Sequence, residues 1–135
     1  MKVFLDTNVL ASAFITRGLC SDVLLLVIEN ELITAEVVLK ELKTVLRRKF
    51  GVPAGTVSQI ESFLRQYEVE SMPQELPALQ LQDHNDLLVV ASALNTGAEI
   101  VVTGDGELLR VENKPVPIVS PREFWTLASR RKNKG

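Results

Sequence analysis

Six acidic residues in separated stretches of the chain stand where chemistry is expected: Asp6, Glu41, Asp83, Asp86, Asp105 and Glu107. Asp6 ends the apolar run KVFL. Asp105 lies between two glycines just after EIVVT. Asp83 and Asp86 open an apolar helical stretch, and Glu41 sits inside another. Each has an ordinary alternative: Asp83 and Asp86 as a helix N-cap and a first-turn acid, Asp105 as a turn residue, Asp6 as a brace for its own loop, Glu41 as a partner of Lys43 or Arg48. Their convergence would have a different meaning. Two carboxylates ~4 Å apart at an effective dielectric of ~20 repel by roughly 4 kcal/mol, so a group of them requires protonation or a cation. An all-oxygen donor set without thiolates suits Mg²⁺ or Mn²⁺ rather than zinc. Such a site fits phosphodiester hydrolysis, in which the ion lowers the pKa of a water and neutralises charge on the leaving oxygen. Thr7, Asn8, Ser12 and Thr103 are candidates to orient ligands or phosphate, with turn and cap hydrogen bonding as the equal alternative.

These acids converge only if the intervening elements bring them together. Strands are expected at residues 2–6, 31–34, 67–71, 99–103 and 116–119, and helices at 21–29, 35–49, 56–66, 84–96, 107–110 and from Pro121 onward. Residues 72–82, with Pro73 and Pro77, read as a loop. The 84–96 helix is apolar nearly all round and should be deeply buried. This alternation predicts an α/β/α sandwich around a parallel sheet, in which strand ends and the following helix starts share one edge. With Val38, Leu42, Val45 and Leu46 as the buried stripe of the 35–49 helix, Glu41 falls on its margin and Lys40, Lys43 and Arg47 fall on the far side.

The 135 residues, 46% hydrophobic and 24% charged, fit one domain able to bury a core without disulfides or a structural metal. Cys20 is the only cysteine, which excludes a disulfide framework and makes thiol catalysis a poor fit. The longest apolar run, Val23 to Ile28, is far short of a membrane span, and Asp6 arrives too early for a signal peptide, so a cytoplasmic protein is expected. Four of the 15 basic residues lie at the C-terminus (Arg130, Arg131, Lys132, Lys134), leaving residues 1–129 with 11 basic and 17 acidic side chains. An acidic body would have to meet nucleic acid through local basic patches: this tail, and the cluster holding Lys40, Lys43 and Arg47. We therefore expect a domain over residues 1–128 and a basic tail over 129–135. No phosphate-binding loop, paired phosphoaspartyl acids or GxSxG elbow is present, and the single His84 reads as a loop or cap residue.

DTNVL after the first strand, Glu41 in EVVLKEL, DHNDLLVVA and VTGDGELL, in that order over nearly the whole chain, resemble the PIN-domain nucleases, notably their toxin-type (VapC-like) branch. The resemblance implies a sheet of order 3-2-1-4-5 and a divalent-metal-dependent ribonuclease acting on single strands. It also implies, in many members, a homodimer inhibited by an antitoxin. Carried over by motif, Asp6, Glu41, Asp86 and Asp105 are the metal-binding acids, with Asn8 and Thr103 nearby. Where relatives often carry proline this chain has His84, and Glu107 stands where many carry aspartate. The alternatives are a non-catalytic module of the same fold and a nuclease acting on DNA.

Overall fold

The computed structural model describes residues 1–134, with side chains described for residues 1–130. Five parallel strands, β1 (Lys2–Leu5), β2 (Glu31–Ala35), β3 (Glu68–Glu70), β4 (Ile100–Val102) and β5 (Ile118–Val119), pair in the order β3-β2-β1-β4-β5. Val3, Phe4 and Leu5 are fully buried, because the central strand is covered on both faces and must be apolar on both. Its register sets Phe4 between Ile33 of β2 and Val101 of β4.

Seven helices connect and cover the strands: α1 (Thr7–Ile15), α2 (Leu19–Ile28), α3 (Glu36–Arg48), α4 (Ala54–Leu64), α5 (His84–Thr96), α6 (Gly106–Arg110) and α7 (Pro121–Lys134). Parallel neighbours need crossovers, and right-handed crossovers put α5 on the face opposite α1 to α4, since the path from β3 to β4 runs back across β2 and β1. The strand order thus reverses between β1 and β4, which is where α/β sheets open a crevice at their carboxyl ends.

Three helices depart from the sequence expectation, of which α4 begins and ends two residues earlier than the 56–66 expected. Helix α1 was not anticipated, because TNVLASAFI is apolar on most sides and gives no clear amphipathic period; Asp6 caps it, its carboxylate accepting the Thr7 N–H at 2.7 Å. Helix α2 begins two residues early. Ser21 lies one turn inside and reaches back, accepting from the Gly18 N–H at 3.0 Å and donating to the Gly18 carbonyl at 2.9 Å. Helix α5 is largely buried as expected and stops at Gly97 in the left-handed conformation (φ 71°), but Leu94 and Asn95 face solvent. Helix α3 is the most amphipathic: Val37, Val38, Leu39, Leu42 and Leu46 are buried, while Lys40, Thr44, Arg47 and Arg48 are exposed.

Among the described residues no single helix is long and apolar enough to cross a membrane. The expected basic tail lies mostly outside the described side chains; its backbone continues helix α7 to Lys134.

Candidate functional site

Asp6 is delivered to the β1/β4 switch point by main-chain pairing: its N–H donates to the Val102 carbonyl at 3.0 Å, one residue beyond the end of β1. Thr103, the residue after β4, is fully buried beside it. The Thr103 hydroxyl donates to Asp6 Oδ2 at 2.8 Å and accepts from Asn8 Nδ2 at 3.3 Å and from the Asp105 N–H at 3.0 Å, which uses its whole hydrogen-bonding capacity. Asn8 is further tied through its side-chain oxygen to the Gly104 N–H at 2.7 Å. A methyl group at position 104 would come within 3.2 Å of that oxygen, so glycine there lets the two loops close on each other. The expectation that Asn8 and Thr103 orient the acids therefore has a concrete form: they lock Asp6 and Asp105 across two strand ends.

Replacing Thr103 by the isosteric valine leaves Asp6 Oδ2 and the Asp105 N–H without their shared partner. The expected cost is about 1–3 kcal/mol of unfolding free energy, read from urea denaturation. A loss below about 0.5 kcal/mol would show that water replaces the hydroxyl and that the lock is not structural.

The remaining acids lie near enough to one another or to Asp6 for their charges to interact. Asp83 caps α5 through the Asn85 N–H at 2.8 Å, as its ordinary alternative held, and Asp105, read as a turn residue, caps α6 through the Glu107 N–H at 2.9 Å. Each cap employs one carboxylate oxygen, which does not consume the other. Glu41 is half-buried and accepts a hydrogen bond from Asn85 Nδ2; neither Lys43 nor Arg48 pairs with it. Asn85 is the residue that sequence reasoning missed. Its only signal was its place inside DHNDLL, because its partner lies 44 residues away.

Asp86 is 7% exposed and makes no side-chain hydrogen bond or ion pair. Burial, followed by the charges of Asp105, Asp83, Asp6 and Glu107, pushes its carboxyl up to about 7. Burial raises Asp6 as well, against the opposing Thr103 and Thr7 hydrogen bonds and with added repulsion from Asp105. Glu41 is raised by burial and then by Asp6, with Asn85 pulling the other way. Charges felt in this mutual way belong to one negative pocket, assembled from β1, α3, α5 and the turn after β4. Glu107 is exposed at its rim, and His84 is exposed on the first turn of α5.

As placed, among the described residues no three His, Cys, Asp or Glu side chains are close enough to share one ion. The donor chemistry nonetheless fits a hard divalent cation. Asp86 takes no hydrogen bond from the protein and feels the charges of Asp105, Asp83, Asp6 and Glu107, all of them oxygen donors.

The basic residues of α3 are arranged differently from the acids. Lys43 pairs with Glu61 of α4 at 3.4 Å, and Arg65 bridges Glu36 and Glu61, so part of that face is neutralised. At 100° per residue, Lys43 and Arg47 lie roughly 160° and 120° around the helix from Glu41. Lys40 and Arg47 are exposed.

A family model described as "PIN domain" matches residues 2–107. Among solved structures, the chain is similar to one in the crystal structure of VapBC2 from Rickettsia felis bound to a DNA fragment from their promoter. That match has a TM-score of 0.65 and 20% sequence identity, covering 89% of this chain and 98% of that one. Among curated proteins none matches the sequence significantly.

Proposed function

The chain belongs to the PIN domain family, and on that footing we propose that it is a divalent-metal-dependent endoribonuclease that cuts single-stranded RNA. The main support is Asp86, a buried carboxylate with no hydrogen-bond donor, flanked by Asp6, Asp83 and Asp105 at the switch point of a parallel sheet. Asp6, Asp86 and Asp105 would hold Mg²⁺ or Mn²⁺, with Glu41 beside them. What the cation supplies when bound is Lewis acidity toward phosphate and water.

The chain's own groups do the rest. Thr103 and Asn8 hold Asp6 in one rotamer, so its oxygens are presented without reorganisation. Asn85 fixes one oxygen of Glu41 and leaves the other to orient the attacking water. Burial keeps the Glu41 carboxyl above its usual range, which makes it the better proton acceptor. Water attack on phosphorus breaks the bond to the 3′ oxygen, which leaves with a proton, so the products carry a 5′-phosphate and a 3′-hydroxyl.

Lys40, Lys43 and Arg47 are proposed to attract the backbone over an otherwise acidic surface. Replacing Lys40 and Arg47 by alanine should weaken RNA binding and flatten its dependence on salt by about one to two in log–log slope. An unchanged slope would acquit that face. We further propose that the chain is the toxin of a toxin-antitoxin pair and works in the cytoplasm, because its fold is that of a chain in a VapBC2 assembly. Leu25 (64% exposed) and Leu127 (45%) offer apolar surface for a second copy or an antitoxin.

The test is incubation of the purified protein with end-labelled single-stranded RNA and DNA, with Mn²⁺, with Mg²⁺ and with a chelator. Metal-dependent cutting of RNA with 5′-phosphate products is the expected result. Binding without cutting in every condition would leave a non-catalytic module of this fold, and cutting of DNA alone would overturn the RNA assignment.

A further inference from the structure

Beside the acids lies a second feature that the proposed chemistry does not use. A cleft of about 250 Å³ runs between α1 and the C-terminal end of α3, lined by Thr7, Asn8, Ser12, Glu41, Lys49 and Phe50. One end is the acidic pocket, through Glu41, Thr7 and Asn8. The other end is an aromatic ring with a cation on it: Lys49 Nζ stands 5.6 Å from the Phe50 centroid, and Phe50 is 43% exposed.

The main chain that carries Phe50 is fixed although it lies outside the helix. Gly51 adopts the left-handed conformation (φ 63°), the Val52 N–H returns to the Leu46 carbonyl at 2.9 Å and the Lys49 N–H to Val45 at 2.9 Å, which closes the end of α3 around it. Between the two ends Thr7, 3% exposed, is among the lining residues, and its hydroxyl lies beside the Glu41 carboxylate, which it helps to keep ionised.

On the surface of α3, Glu41 and Lys49 are eight residues and therefore ~12 Å apart along one side, whereas Lys43 and Arg47 point away from the acids. A strand whose phosphate reached the acidic pocket would meet Lys49 and Phe50 before it met Lys43. Aromatic face and ammonium side by side match a base and its phosphate.

We propose that this cleft is a nucleotide subsite for single-stranded nucleic acid: Phe50 stacks one base and Lys49 contacts the adjoining phosphate. It deepens the nuclease reading, on which it rests, by placing the strand along α3 toward α1. Stacking on a single ring is sequence-tolerant, since every base has a π-face, so the subsite selects unpaired strands rather than a sequence.

The test uses short single-stranded RNA and DNA oligonucleotides carrying fluorescein for anisotropy and one 2-aminopurine for stacking, in chelator, with the whole chain and its variants. Phe50→Ala is expected to weaken binding about tenfold and to reverse the quenching of 2-aminopurine by protein, whereas Phe50→Trp retains both. Lys49→Ala should lower the salt slope by about one. Equal binding and quenching by the wild type and Phe50→Ala would overturn the subsite, and if the wild type cuts RNA with Mn²⁺ in that case, the nuclease reading stands alone. Dependence of binding on Phe50 in a wild type that cuts nothing with any metal would keep the subsite and remove the nuclease. No binding of either oligonucleotide would overturn the subsite and leave the cleft to a protein partner. Comparison of the RNA and DNA arms tells which sugar the subsite accepts.

Discussion

Asp6→Asn is expected to lower metal-dependent cleavage of RNA by at least about a hundredfold without unfolding the protein. Even residues that only support metal ligands typically cost ten- to a hundredfold, and Asp6 is proposed as a ligand itself. Asparagine caps helices about as well as aspartate, so its one side-chain oxygen still accepts the Thr7 N–H at the start of α1, while its amide nitrogen replaces the oxygen that accepts from the Thr103 hydroxyl. The substitution removes the charge together with that one hydrogen bond. Single-turnover cleavage at saturating Mn²⁺, with circular dichroism as the check on folding, reads the two effects separately. A folded variant with full activity would remove Asp6 from the chemistry. Asp83→Asn is the natural control: Asp83 is exposed and already serves α5 as its cap, a role asparagine performs equally well, so its activity should stay within a few-fold of the wild type.

The second large effect is on stability, and its sign is opposite to that of an ordinary carboxylate. The Asp86 carboxyl stands near 7 in the folded protein, against about 3.9 in an unfolded chain. Between those values the folded state holds a proton that the unfolded state has lost. Metal-free protein should therefore lose stability as the pH rises from about 4 through 7, with the full penalty present above 7. Asp6 and Glu41, also raised by burial, act in the same direction. Glu36 and Glu61, lowered by their hydrogen bonds to Arg65, act in the other, losing their contribution as the pH falls through the carboxylate range. They are surface groups, and the buried acids dominate near neutrality.

Asp86→Asn removes the strain. At pH 8 without metal the variant should be more stable than the wild type by on the order of 2 kcal/mol, allowing for solvent screening at the mouth of the cleft, and the difference should shrink as the pH falls and vanish below about pH 4. Thermal melts at the two pH values measure this. Mn²⁺ should raise the melting temperature of the wild type, increasingly so above pH 7, and leave Asp86→Asn unmoved. A variant less stable than the wild type at both pH values would mean that Asp86 is not held against like charge and that no cation is needed there. Gain of stability together with loss of metal response is the expected mark of a functional acid kept at the expense of the fold.

Much of this was legible from the residues alone. VFL flanked by Asp6 and IVV followed by Thr103-Gly104-Asp105 announce buried parallel strands with acids at their ends, because a strand covered on both faces must be continuously apolar while its end meets solvent. The amphipathic stripe of α3 and the glycine stop of α5 are equally local, and so is the placement of Glu41 on the margin of the buried face. Helix α1 was not legible, since TNVLASAFI packs against several neighbours and shows no one-sided pattern.

What only the tertiary structure decided is who faces whom. Asn85 meets Glu41 across 44 residues, Thr103 joins Asp6, Asn8 and Asp105, Lys43 is paired with Glu61, and Phe50 closes a cleft with Thr7. Residue type and local period depend on nearest neighbours along the chain. Partnerships such as these depend on strand order and on the crossing of α5 to the far face, which are settled by the burial of the whole core and leave no mark at either partner's own position in the chain.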